Sequence, residues 1–159
     1  LTTAIYPGSF DPITNGHLDI VKRASSIFEK VIIGVYDIPQ KSLLFSVDER
    51  VDLARKAVAG FSNVQVTAYA GITVEFARNI KAQVLVRGLR ANSDFEREFE
   101  MALMNKKLAP DIELVCFMAN LRYQFLSSSL LKEIIKLGGN LDDMVPVDVS
   151  AALKRKLLP

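Results

Sequence analysis

Five short apolar runs, each followed by a stretch with helical spacing, constrain this chain more than any other feature of it. The runs fall at residues 4–6, 31–36, 64–69, 84–86 and 114–118. They are rich in β-branched and aromatic residues and mostly lack polar alternation, which is how strands read when both faces of a parallel sheet are covered. Between them, Leu18, Val21, Ser25 and Phe28 recur at helical spacing, as do Ile20, Ala24 and Ile27. Ser46 with Glu49 is a capping box that opens a second helix, with Val51, Ala54 and Val58 on one face. Val74, Phe76, Ala77 and Ile80 suggest a shorter one. Ser93 with Glu96 is a further box, opening a helix expected to turn Phe95, Phe99, Ala102 and Leu103 inward. Residues 129–137 give one more, stopped by Gly138 and Gly139, and residues 150–158 another.

Strands that alternate with helices imply right-handed βαβ units. The expected fold is α/β: a single Rossmann-like domain over residues 1–159, a five-stranded parallel sheet with helices on both faces. At 159 residues such a domain buries roughly 70% of the surface its unfolded chain exposes, so it needs no staples. In sheets of this kind the ligand sits beyond the carboxyl ends of the strands, where strand order reverses. The informative residues are therefore those just after each strand.

Composition narrows the function. Half the residues are hydrophobic and 24% charged, with a net charge of +2, too balanced for a general nucleic-acid or membrane binder. Cys116 is the only cysteine, which excludes an internal disulfide and points to a reducing, cytoplasmic setting. One histidine and one cysteine argue against a His/Cys zinc site. The first residues show no export leader. No apolar run approaches the ~20 residues of a membrane span.

The first run leads into Pro7-Gly8-Ser9-Phe10-Asp11-Pro12-Ile13-Thr14-Asn15-Gly16-His17. Two prolines and two glycines make a structured turn feeding a helix, whose start favours an anion. Ser9 offers a hydroxyl to a phosphate oxygen. His17 falls in the first helical turn beside Gly16, which lets a ligand approach the backbone. A surface histidine in a plain turn is the bland alternative, and the neighbours favour function. Lys41, after the second run, is either a mobile cation for the same crevice or simply solvated. Arg87 and Arg90 flank Gly88 after the fourth run. Their forks suit phosphate oxygens, and an ion pair with Asp94 or Glu98 is the structural alternative. Ser127, Ser128 and Ser129 stand at a helix start, where they provide an N-cap plus spare hydroxyls for a polyphosphate. Capping alone needs only one of them. Neither GxxxxGK[ST] nor GxGxxG occurs.

Thr14-Asn15-Gly16-His17 resembles the (T/H)xGH signature of the nucleotidyltransferase superfamily, and Ser127-Ser128-Ser129 with Lys132 resembles its serine-rich signature. The longer string PGSFDPITNGHLDI, with VRGLR, SDFEREFE and FLSSSLLKEI, resembles the bacterial phosphopantetheine adenylyltransferase family nearly end to end. That resemblance implies transfer of the adenylyl group of ATP to 4′-phosphopantetheine, giving dephospho-coenzyme A and pyrophosphate, the penultimate step of coenzyme A synthesis. It implies Mg²⁺, a homohexamer arranged as a trimer of dimers, and feedback by coenzyme A.

The resemblance also implies roles. His17 is the transition-state stabiliser, with Ser9, Lys41 and Arg90 beside it. ATP is expected at Ser9, Phe10, His17, Gly88, Leu89, Arg90, Glu98 and the stretch Tyr123, Gln124, Phe125, Leu126, Ser127, Ser128, Ser129. Phosphopantetheine is expected at Ser9, Lys41, Thr73 and Arg87. No residue is expected to ligate a metal directly. Arg97 stands where relatives often carry tyrosine, and residues 119–122 form a loop that varies between members. Ile72, Leu103 and Met104 are apolar and suit either the pantetheine arm or the core.

This inventory suits the reaction. A phosphate monoester has a second pKa near 6 and is already an anionic nucleophile at neutral pH. It needs no general base and no covalent enzyme intermediate, only positioning and charge stabilisation. Two readings compete: another small-molecule nucleotidyltransferase, against which Thr14 and the RGLR string count, and a non-catalytic nucleotide-binding protein on this fold.

Overall fold

Strand β1 (Thr3–Gly8) lies at the centre of a five-stranded sheet whose every pairing is parallel. The computed structural model describes residues 1–38, 42–91 and 94–159. The other strands are β2 (Lys30–Tyr36), β3 (Val64–Tyr69), β4 (Val84–Leu89) and β5 (Glu113–Met118), in the order β3-β2-β1-β4-β5. The helices are α1 (Asn15–Ser25), α2 (Val47–Ala57), α3 (Thr73–Asn79), α4 (Asp94–Leu108), α5 (Ser128–Lys136) and α6 (Val147–Leu157). This is the expected α/β Rossmann-like arrangement.

Alternation along each strand sends successive side chains to opposite faces, and both faces are covered. Ala4, Tyr6, Ile33, Val84 and Val86 join one core with Val21 and Ala24 of α1, Ala54 of α2, Leu131 of α5 and Leu153 of α6. Ile5 and Leu85 face a smaller core with Val74 and Ala77 of α3, plus Ala109 and Ile112 beyond α4. At ~25 cal/mol per Å² of apolar surface, the larger core dominates the hydrophobic stabilisation.

The edges depart from the expectation of strands buried on both faces. β1 and β2 are buried along most of their length, whereas β3 has two buried positions and β5 one. They are the outer strands of the order, and each lacks a neighbour on one side.

The starts of α2 and α5 follow the capping chemistry. Ser46 and Glu49 form the expected box on α2. Ser127 caps α5 by accepting from Leu130 N–H at 3.1 Å, and Gly138, at φ +85°, ends that helix as expected. α6 begins three residues earlier than its spacing suggested, at Val147 after Pro146. The box predicted at Ser93 lies outside the described residues. Phe95, Phe99 and Leu103 of α4, expected to face inward, are 62%, 56% and 58% exposed. None of the described side chains of α4 is buried, whereas Ala109, just past the helix, is fully so. No helix among the described residues is long and apolar enough to cross a membrane.

The chain runs outward from β1 through β2 to β3, then returns to place β4 on the other side of β1. The reversal between β1 and β4 splays their following loops apart and opens a crevice above their carboxyl ends.

Candidate active site

That crevice is a cleft of about 400 Å³. Residues 6–10 of β1 and its turn line one side, with Thr14, Gly16, His17 and Ile20 from the start of α1. Arg87, Gly88, Arg90, Arg97 and Glu98 line it from β4 and α4, and Ala119, Tyr123, Leu126 and the three serines from the segment after β5.

The turn after β1 is held in an unusual shape. Phe10 has φ +47°, a conformation that costs a bulky residue on the order of 1–3 kcal/mol unless its surroundings impose it. The next peptide, Asp11–Pro12, is cis. Beyond it Thr14 caps α1, and the capping partner at the third helical position is His17 rather than the usual Glu or Gln. The Thr14 main-chain N–H donates to His17 Nδ1 at 2.9 Å. The Thr14 hydroxyl lies 3.1 Å from the same nitrogen and accepts from His17 N–H at 3.3 Å.

A backbone N–H can only donate, so Nδ1 carries a lone pair and the neutral ring bears its proton on Nε2. The ring stays neutral. Burial, then the charges of Arg90 and Arg87, lower its pKa from 6.5 to about 4. Phe10 meets it edge to face with centroids 5.0 Å apart, and Tyr6 stands at 6.3 Å. Burial likewise pushes the Tyr6 phenol up to about 12, against the pull of Arg87 and Arg90. Both rings are therefore hydrogen-bond donors at neutral pH.

Arg87 takes the structural alternative foreseen for it. Its Nε donates to both oxygens of Glu98 at 3.0 Å, its Nη2 donates to Oε1 at 2.7 Å, and its Nη1 donates to the Pro7 carbonyl at 2.8 Å. Burial works to lower its pKa, but the Glu98 hydrogen bonds and charge more than offset that. Arg90 Nη1 donates to the Leu126 carbonyl at 3.0 Å, tying the end of β4 to the segment before α5. Gln124 braces the same junction: its Oε1 accepts from Ala91 N–H and its Nε2 donates to the Ala119 carbonyl, both at 2.7 Å. Ser128 Oγ donates to the Pro12 carbonyl at 2.8 Å. The N-termini of α1 and α5 are thus joined at one cleft lined by three arginines. Helix starts and guanidinium groups both favour anions, and the arrangement suits a polyphosphate.

Comparisons with known proteins show which family the chain resembles. A family model for cytidylyltransferase-like proteins matches residues 5–134. A phosphopantetheine adenylyltransferase of Roseiflexus castenholzii is 54% identical over 155 residues, covering 98% of this chain and 97% of that one. One of Desulforudis audaxviator is 53% identical over 153 residues, covering 96% and 94%. One of Clostridium botulinum is 48% identical over 157 residues, covering 99% and 96%. The chain belongs to the phosphopantetheine adenylyltransferase family. It is a nucleotidyltransferase by membership.

Most positions that the family resemblance marked converge on the cleft. Ser9, Phe10, His17, Arg87, Gly88, Arg90, Glu98, Tyr123, Leu126, Ser127, Ser128 and Ser129 all line it. Leu89 is buried instead, Gln124 acts as the brace just described, and Phe125 is exposed beside the cleft rather than lining it. Thr73 opens α3, and its hydroxyl is paired with the Tyr69 phenol at 2.9 Å. Lys41 lies outside the described residues. Gly16 lines the cleft, and a Cβ there would also meet Tyr123 Cβ at 3.3 Å. Ile72, Leu103 and Met104 are exposed, so core packing does not account for them.

Several residues of the site escaped the sequence reading. The Thr14–His17 box was legible in principle, since a capping threonine three residues before a hydrogen-bonding side chain is a helix-start spacing. Arg97 was noted as a departure from relatives and turns out to line the cleft. Asp11 and Arg50, both buried, have no local pattern: their partners lie 33 or more residues away for Asp11 and 41 away for the Arg50 bond to Ser9.

Proposed function

We propose that this protein transfers the adenylyl group of ATP to the phosphate of 4′-phosphopantetheine, giving dephospho-coenzyme A and pyrophosphate. The observation that carries the reading is the near full-length identity to phosphopantetheine adenylyltransferases. The cleft supplies a physical account of how such a transfer would run.

An oxygen of the acceptor phosphate attacks the α-phosphorus of ATP. The new P–O bond forms as the bond from the α-phosphorus to the bridging oxygen breaks, and pyrophosphate leaves with that electron pair. No proton need be abstracted, because the nucleophile is already an anion. Charge moves between phosphoryl oxygens, so the protein's task is alignment and preorganised donors.

His17 is suited to donate Nε2–H to an α-phosphoryl oxygen. Its Nδ1 is occupied by Thr14, so the ring points its proton without reorganising. Arg90 and the serines at the start of α5 are suited to the leaving β- and γ-phosphates. Arg87, charge-balanced by Glu98, and Ser9 are suited to the acceptor phosphate, with Lys41 assigned there by resemblance.

Mg²⁺ belongs to this reading as the companion of ATP. Among the described residues no group of three or more His, Cys, Asp or Glu side chains stands ready to hold a metal, and the one carboxylate lining the cleft, Glu98, is engaged by Arg87. An ion carried on phosphate oxygens and water fits that donor set. It would supply charge neutralisation on the triphosphate.

The deciding experiment measures pyrophosphate release from ATP and Mg²⁺ with a panel of phosphate acceptors. Turnover with 4′-phosphopantetheine well above that with a nicotinamide mononucleotide or a sugar-alcohol phosphate supports the reading. Preference for another acceptor would move the protein to a different nucleotidyltransferase. ATP binding with no turnover on any acceptor would make it a non-catalytic nucleotide binder.

A further inference from the structure

Two buried charges hold the turn that carries Ser9 and Phe10, and neither lines the cleft. Arg50 of α2 and Asp11 are each 2% exposed. Arg50 Nη1 donates to the Ser9 carbonyl at 2.7 Å and to the Tyr36 carbonyl at 2.9 Å, and its Nε donates to the Phe45 carbonyl at 3.2 Å. Asp11 Oδ1 accepts from Phe45 N–H at 2.9 Å. Its Oδ2 accepts from Leu44 N–H at 3.0 Å and from Lys132 Nζ at 2.6 Å. Phe45 is therefore gripped at its N–H by Asp11 and at its carbonyl by Arg50.

Between Ser9 and Asp11 sits Phe10, at positive φ. A bulky residue keeps that conformation only where its surroundings over-determine it. Arg50 fixes the residue before it and Asp11 the residue after it. Buried charges are costly to desolvate, and apolar packing would stabilise the fold as well or better. What the two charges add is a defined shape, and the shape they define packs Phe10 against His17.

We propose that Arg50 and Asp11 are positioning residues, a clamp that acts through the Ser9 carbonyl and the Phe45 peptide to hold the Ser9–Phe10 turn against His17. The inference rests on the nucleotidyl-transfer reading above. Loosening the turn displaces Ser9 and the wall of His17 together. Misplacement near 1 Å at a reacting centre costs on the order of a hundredfold in rate, while Arg90 and the α5 serines assigned to the leaving phosphates stay in place. Lysine cannot replace Arg50, because a single ammonium does not reproduce a planar fork spanning three carbonyls.

The test compares Arg50→Lys and Asp11→Asn with the parent. It reads kcat, KM for both substrates, ATP affinity and site count by calorimetry, and the ring ¹⁵N spectrum of His17, the chain's one histidine. Arg50→Lys is expected to lose at least tenfold in kcat per ATP-binding site, with ATP affinity within threefold of the parent. His17 is expected to titrate at a higher pH as Phe10 ceases to shield it, since Arg87 and Arg90, which also face the ring, are unchanged. A loss confined to stability, with kcat per binding site within twofold and the His17 titration unmoved, overturns the proposal. If Arg50→Lys does not fold, Asp11→Asn relaxes the same turn from its other side and is judged by the same criteria. If the parent turns over no acceptor, the transfer reading fails on its own, and the His17 titration still decides the clamp.

Discussion

Phe10 meets His17 edge to face, with 5.0 Å between ring centroids, and so closes one side of the imidazole to water. Burial is the largest cause of its lowered pKa, with the charges of Arg90 and Arg87 next. A single resonance should therefore titrate near 4 in the folded protein rather than near 6.5. The sign for stability follows. The unfolded chain takes up this proton first as pH falls, so the His17 contribution is constant above about 6.5 and declines between 6.5 and 4. Urea midpoints measured across that window should fall less steeply in His17→Gln than in the parent. Parallel slopes would mean the ring is not shielded.

The neutral ring donates through one nitrogen only. His17→Ala removes that donor and should lower kcat by about a hundred- to a thousandfold, the usual cost of losing one preorganised donor. ATP affinity should change little, because the arginines and the α5 serines remain. His17→Gln keeps an N–H donor and should retain more activity than alanine. Equal losses of kcat and ATP affinity would show that His17 binds the ground state instead.

The sheet was legible because its signal is local: five apolar runs of the right length each became a strand. Burial at the edges was not, since nothing within residues 64–69 says that β3 would have a neighbour on one side only. α4 misled for a related reason. Phe95, Phe99 and Leu103 share a helical stripe, and a stripe does not reveal whether the chain's own core lies beneath it. At the site, the anion-binding types after the first, fourth and fifth runs were readable, and Thr14, Gly16 and His17 line one cleft with the arginines. Pairing was harder. The Arg87–Glu98 fork was visible as one of two options, whereas the bonds that tie the turn after β1, from Arg50 to Ser9 and from Asp11 to Leu44 and Phe45, join groups 33 or more residues apart and leave no local pattern.

Glu98 receives three hydrogen bonds from Arg87. Glu98→Gln keeps an acceptor oxygen but loses the charge, and Glu98→Ala leaves the fork facing an empty site. The Arg87 side chain is about one-third exposed (36%), so water partly compensates and the loss for glutamine should be about 1 kcal/mol, with alanine worse. Chemical denaturation measures both. An alanine variant as stable as the parent would mean the pair contributes nothing to the fold.

The apolar stripe of α4 gives the last prediction. Phe95 and Phe99 stack at 6.2 Å with more than half of each exposed, and Met101, Met104 and Leu108 expose further apolar surface on another side of the same helix. Large exposed apolar surfaces often mark interaction sites. The hexamer implied by the family resemblance would give this face a second copy to bury against. Light scattering of the parent should then report a mass near six chains, and Phe99→Glu combined with Leu103→Glu should yield smaller species with unchanged helical content. Both substitutions lie on an exposed face and leave the inner core intact, so unfolding is not the expected route to dissociation. A parent that runs as a monomer at micromolar concentration, or a double variant that stays assembled, would remove α4 from the interface.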